Sequence, residues 1–105
     1  MRSLTEADNG RTVELRAGDT LRISLPENAA TGYGWAVDRV DGEVIKAAGS
    51  QPHYSGDAVG SGGLMTFTFE ATKAGSGEIV LKNWRAFEGD ASVQKRFRLR
   101  VEVKR

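Results

Sequence analysis

Apolar residues along this chain recur chiefly at every second position. Val13 and Leu15 alternate with Thr12, Glu14 and Arg16; Leu21, Ile23 and Leu25 alternate with Thr20, Arg22 and Ser24. Met65, Phe67 and Phe69 alternate with Thr66, Thr68 and Glu70, and Phe97, Leu99, Val101 and Val103 with Arg96, Arg98, Arg100, Glu102 and Lys104. A period of two places one set of side chains on one face of an extended chain, the mark of a strand with one buried side. Shorter strands are predicted over Trp35–Val40, Glu43–Ala47 and Glu78–Trp84. No segment keeps a helical period over the ~11 residues of an average helix.

Turn chemistry separates these runs. Ala17-Gly18-Asp19, Asp41-Gly42, Ala74-Gly75-Ser76-Gly77 and Glu88-Gly89-Asp90 supply the positive-φ positions that tight connections need. About seven to eight short strands in one chain of this length predict an all-β, immunoglobulin-like antiparallel β-sandwich. A small closed barrel is the second architecture that the pattern permits. Trp35 is the candidate for the large core aromatic between the sheets. The expectation is a single domain over residues 1–105, with 1–10 a loosely ordered N-terminal segment.

Composition narrows the functional classes. The chain has 105 residues, 39% hydrophobic and 28% charged, with a formal charge of +1. That balance offers no long-range field for nucleic acid, and the basic residues are interleaved with acidic ones. No stretch approaches the ~20 apolar residues of a membrane span. The absence of cysteine removes disulfides and thiolate metal sites, so the core must hold by packing alone. The amino terminus, Met1-Arg2-Ser3-Leu4-Thr5-Glu6, has no apolar signal core. It is compatible with a cytoplasmic protein, or with a periplasmic or secreted one whose leader was removed.

Three segments are richer in glycine and special residues than a connection requires: Asn28 to Trp35, Val59 to Gly63, and Trp84 to Gly89. Each has an ordinary reading by itself, as a capped turn, a flexible hairpin entry or a solvated charge. Topology changes the weighting. Alternate loops of a sandwich leave from the same end, as antibody recognition loops do. Loops that carry aromatics, an arginine and glycines have the composition of a binding edge.

In order and spacing these segments resemble the chagasin family of papain-like cysteine-protease inhibitors. Asn28-Ala29-Ala30-Thr31-Gly32-Tyr33, with Trp35 close behind, matches the family's Asn-Pro-Thr-Thr-Gly-Tyr/Phe signature. Gly60-Ser61-Gly62-Gly63 matches Gly-x-Gly-Gly, and Arg85-Ala86-Phe87 matches Arg-Pro-Trp/Phe. Ala29 and Ala30 stand where the family has Pro and Thr, so the tip of the first segment is less rigid and less polar, and Ala86 stands where the family has Pro, so the third segment loses a fixed φ. The resemblance implies a non-enzymatic, reversible inhibitor that occludes the protease cleft with three loops from one end of the sandwich. It assigns protease binding to Asn28, Ala29, Ala30, Thr31, Gly32, Tyr33, Gly60, Ser61, Gly62, Gly63, Arg85, Ala86 and Phe87. The implied partner is a papain-like, cathepsin L-like protease, bound by a monomer without cofactor, metal, nucleic acid or membrane.

The residues also offer material for two other classes. His53, the single histidine, has Tyr54, Ser55 and Asp57 beside it. Groups so close in sequence do not easily adopt triad geometry, because nucleophile, base and orienter normally converge from separate elements. A generic immunoglobulin-like adhesion or carbohydrate-binding module would instead use Tyr33, Trp35, Trp84 and Phe87 as a stacking platform. The Arg96, Arg98 and Arg100 stripe reads as a solvated outer face that discourages edge pairing.

Overall fold

The computed structural model describes residues 2–27, 32–54 and 63–105, with 52–54 described by their backbone. Eight strands form in chain order: β1 (Arg2–Thr5), β2 (Thr12–Arg16), β3 (Thr20–Glu27), β4 (Gly34–Val40), β5 (Ile45–Tyr54), β6 (Gly63–Ala71), β7 (Gly75–Trp84) and β8 (Lys95–Lys104). They make two four-stranded sheets, β1-β3-β6-β5 and β2-β8-β7-β4. This is the sandwich that the alternation predicts, rather than the closed barrel.

The inward residues of each strand meet in one core cluster. Leu21, Ile23, Leu25 and Phe69 of the first sheet and Ile79, Leu81 and Val101 of the second are fully buried within it. Trp35 joins that cluster at 6% exposure, so its ring is core. Its indole Nε1 donates to the Pro26 carbonyl at 2.9 Å, which satisfies the one polar atom the ring brings inside. Among the described residues no buried side-chain polar atom lacks a partner.

Three features differ from the sequence expectation. The sheets are mixed, because β1 runs parallel to β3 and β2 parallel to β8, while the remaining pairs are antiparallel. Alternation reports burial of a face and is silent on strand direction.

Residues 2–10 also form defined elements where a loose segment is expected. Arg2–Thr5 form an edge strand with Leu4 buried at 5%. A 3-10 turn at Glu6–Asp8 follows, closed by Thr5 N–H on Asp8 Oδ2 at 2.9 Å. Asn9 Oδ1 then accepts from Arg98 N–H at 2.9 Å, and Gly10 N–H donates to the Arg98 carbonyl at 2.7 Å. The segment thus crosses from one sheet to the other under hydrogen-bond restraint. Its single buried apolar residue was too short a pattern to show in the sequence.

The third difference concerns strand limits. β5 continues past Ala47 to Tyr54, and β7 begins at Gly75 inside a stretch expected to be a turn. A bulge between Ala47 and Gly49 breaks the alternation of β5. Gly77 is extended strand and lies under the β4–β5 connection. A Cβ there would sit 3.0 Å from Asp41 Cβ and 3.5 Å from Val44 Cβ, so close approach explains this glycine.

Pro26 illustrates how position within a sheet licenses a residue. β1 pairs with β3 only as far as Ser24, so at Pro26 that side of β3 is an open edge, where a proline costs no ladder hydrogen bond.

Candidate functional site

Strand register brings the strand ends that flank the three predicted segments to one end of the sandwich. In the first sheet the end of β3 at Glu27 and the end of β5 at Tyr54 both lie opposite Gly63, the first residue of β6. In the second sheet Gly34, the start of β4, faces Trp84, and Asn83 faces Lys95, the start of β8. The connections 28–33, 55–62 and 85–94 therefore leave from the same rim. Asn28, Ala29, Ala30, Thr31, Gly60, Ser61 and Gly62 lie outside the described residues. Gly32, Tyr33, Gly63, Arg85, Ala86 and Phe87 are described.

The base of the first connection is braced across the two sheets. Trp35 N–H donates to Glu27 Oε1 at 2.8 Å, while the Trp35 indole holds the Pro26 carbonyl. The residues before and after the connection are thus tied together, one on each sheet. A motif scan passes over Glu27, because its role depends on reaching a residue eight positions away.

The connection after β7 is built from two short turns. Arg85 is extended, with φ −99° and ψ 108°, and Ala86–Glu88 and Asp90–Ser92 form successive 3-10 turns. Gly89 separates them with φ 79°. Ser92 Oγ accepts from Arg85 N–H at 2.9 Å and turns its hydroxyl toward the carbonyls of Gly89 at 2.7 Å and Arg85 at 3.0 Å. One proton is shared between those two acceptors. Behind this, Gln94 N–H donates to the Asn83 carbonyl at 3.0 Å, and the Gln94 amide donates to the buried Asn83 side chain.

The first and third connections touch. A Cβ on Gly32 would lie 3.7 Å from Arg85 Nε and 3.7 Å from Phe87 Cε1. The Arg85 guanidinium carbon sits 4.5 Å from the Tyr33 ring centroid, within cation–π range, and Nη1 is 3.2 Å from Glu88 Oε2. Arg85 thus packs between Tyr33 on one connection and Glu88 on its own. In the free protein this side chain is engaged within the edge. Phe87 stands at the tip and is 80% exposed.

The stacking-platform alternative loses its larger rings here. Trp35 is core, and Trp84 is half-buried with Lys82 Nζ 3.6 Å from its centroid. Lys82 is in turn held by Asp90 at 3.2 Å and Asp38 at 3.7 Å. For the hydrolase alternative, His53 is a strand residue whose register partner is Leu64, and Ser55 and Asp57 lie outside the described residues. Among the described residues no group of three or more His, Asp or Glu could hold a metal ion.

Ala86 opens a 3-10 turn, the position where an N–H has no partner within the turn and φ lies near −50 to −70°. The extended backbone of Arg85 is the conformation that a following proline demands. Ala86→Pro should therefore fit without strain and remove freedom from the unbound loop, a gain of about 0.4–1 kcal/mol, or roughly two- to fivefold. The expected result is tighter protease inhibition, mainly through slower dissociation, measured from progress curves. Weaker inhibition would show that the bound loop leaves the 3-10 turn.

A braced sandwich that presents an aromatic-tipped, multi-loop rim has the architecture of a binding protein rather than a catalyst. The chain belongs to the chagasin family: the family described as Chagasin family peptidase inhibitor I42 matches residues 14–101. Amoebiasin-1 of Entamoeba histolytica is 32% identical over 101 residues, covering 96% of this chain and 98% of that protein. The crystal structure of the cysteine protease inhibitor EhICP2 from Entamoeba histolytica superposes with a TM-score of 0.85 at 20% identity, covering 98% of this chain and 95% of the other. PbICP-C, solved in complex with falcipain-2, has a TM-score of 0.72 at 22% identity, covering 99% of this chain and 100% of the other. The latter two bear on the fold. The protein is an inhibitor and not an enzyme.

Proposed function

We propose that this protein inhibits papain-like cysteine proteases reversibly by filling the active-site cleft with the segments 28–33, 60–63 and 85–87. The observation that carries this reading is the seating of the Arg85 guanidinium on the Tyr33 ring at 4.5 Å, which makes one wedge of two connections remote in sequence. Family membership supports it, as does the capture of PbICP-C on falcipain-2.

The mechanism needs no reactive group. Small residues around Gly32 allow the backbone to approach the catalytic Cys–His pair closely, without offering a peptide bond in cleavable geometry. Gly60 to Gly63 run along one side of the cleft as an extended segment, pairing backbone to backbone. Phe87 anchors the other side as an exposed aromatic that gives up its water on binding. Arg85, held by Tyr33 and Glu88, fixes the angle between the two connections before the protease arrives. The turns of the 85–94 connection, tied together by Ser92, lose little entropy on association, which favours tight binding without covalent chemistry.

Titration of papain or a cathepsin L-like enzyme should show stoichiometric inhibition that reverses on dilution. Serine and metalloproteases should be unaffected. A folded protein, verified by circular dichroism, that leaves papain-like enzymes active at micromolar concentration would overturn this reading.

A further inference from the structure

The rim described above has an apolar shoulder that no inhibitory segment includes. Among the described residues three large hydrophobic side chains are exposed: Val37 at 37%, Leu64 at 45% and Phe87 at 80%. A single exposed leucine is ordinary, so exposure alone assigns nothing. Placement is what distinguishes Leu64. It follows Gly63 directly, one residue's rise of about 3.3 Å back from the rim. The inward face of β6 is carried by Phe67 and Phe69, and the outer face reads Leu64, Thr66, Thr68, Glu70. Only its first position, the one nearest the rim, is apolar.

The neighbouring strand continues the shoulder. Register sets Pro26, itself exposed, opposite Leu64, so two apolar residues adjoin on adjacent strands. One level further from the rim the face becomes polar, with Ser24 Oγ and Thr66 Oγ1 hydrogen-bonded at 3.0 Å. The carboxylate beside the shoulder, Glu27, is turned toward Trp35 N–H at 2.8 Å. Leu64 thus flanks the rim on the sheet opposite to the one that carries Phe87, and the apolar surface is continuous with the protease-binding edge.

We propose that Leu64, with Pro26 beside it, is a specificity-determining contact that extends the inhibitor interface from the cleft onto an apolar part of the protease wall beside the Gly60–Gly63 segment. This rests on the inhibitor reading above. The occupant is the protease already engaged by the loops, because a body seated on that rim covers the first residue behind it. Papain-like enzymes with an apolar wall at this place are inhibited more tightly than those with a charged one.

The test compares inhibition constants of the wild type, Leu64→Asp, Leu64→Thr and Leu64→Met against whichever papain-like protease the wild type inhibits most tightly. Leu64→Asp should weaken inhibition about tenfold, as loss of a desolvated interface contact does. Leu64→Thr, which extends the Thr66–Thr68 pattern and suits a strand, should behave similarly, while Leu64→Met should remain within about threefold because it keeps apolar reach. Melting temperatures should stay together, since the side chain lies outside the core. If Leu64→Asp also inhibits within about threefold of the wild type, the shoulder makes no contact and the inference is overturned. A wild-type protein inert toward every such protease would overturn the inhibitor reading and this one with it.

Discussion

Gly32→Val is expected to raise the inhibition constant by roughly thirty- to a hundredfold, the equivalent of about 2–3 kcal/mol. Gly32 has φ +77°, a backbone region in which a β-branched residue is a severe outlier. The Cβ itself would meet Arg85 and Phe87 at ordinary contact distance, so the first methyl is tolerated sterically. The additional branches would press on the guanidinium and the aromatic tip. Gly32 is exposed and outside the core, so melting should drop by no more than the ~4–8 °C that corresponds to 1 kcal/mol in a domain of this size. A backbone displaced at this position would no longer fit the cleft, so the larger loss appears in binding. Gly32→Asn, which visits positive φ more readily, should fall between valine and the wild type. Equal losses of stability and inhibition in Gly32→Val would assign this glycine to the fold instead.

Phe87→Ala is the second large effect. The ring is 80% exposed, so its removal takes nothing from the core and should leave the melting temperature within about 2 °C of the wild type, as surface substitutions do. On binding, an aromatic anchor at an interface centre contributes about 2 kcal/mol or more, roughly thirtyfold in the inhibition constant. Stopped-flow association and progress-curve dissociation should place most of the loss in a faster off-rate. Inhibition unchanged within threefold would mean that the third connection stays outside the cleft, leaving Asn28–Tyr33 and Gly60–Gly63 to act alone.

The alternation of Leu21, Ile23 and Leu25, of Phe67 and Phe69, and of Phe97 to Val103 translated directly into buried faces, because a strand with one wet side must alternate. β5 runs seven residues beyond the Glu43–Ala47 stretch that alternation marks. It is an edge strand with a bulge, and Gly49 and Pro52 carry no periodic signal although an unpaired side tolerates both. β1 was missed for a related reason: four residues with one buried leucine hold too little pattern. Parallel pairing of β1 and β2 was equally invisible, since direction is set by which neighbour the sheet offers.

For the candidate site, residue type was informative where a residue acts by itself. An aromatic two residues after an arginine, and a glycine beside a tyrosine, mark Phe87 and Gly32 as special from the chain alone. Residues that act through a distant partner left no such mark. Glu27 braces Trp35, Ser92 closes the turn on Arg85, and Leu64 stands at the rim only because β6 begins one residue earlier.

The sequence by itself determined a cysteine-free β-sandwich with three unusual connections and the family to which they belong, because periodicity and local motifs are properties of neighbouring residues. The tertiary structure alone decided that a side chain at Gly32 would meet Phe87, that Arg85 bridges Tyr33 and Glu88 across two connections, and that Leu64 stands beside the rim. Those contacts join residues far apart in the chain, and only the register of one sheet packed on another brings them within reach.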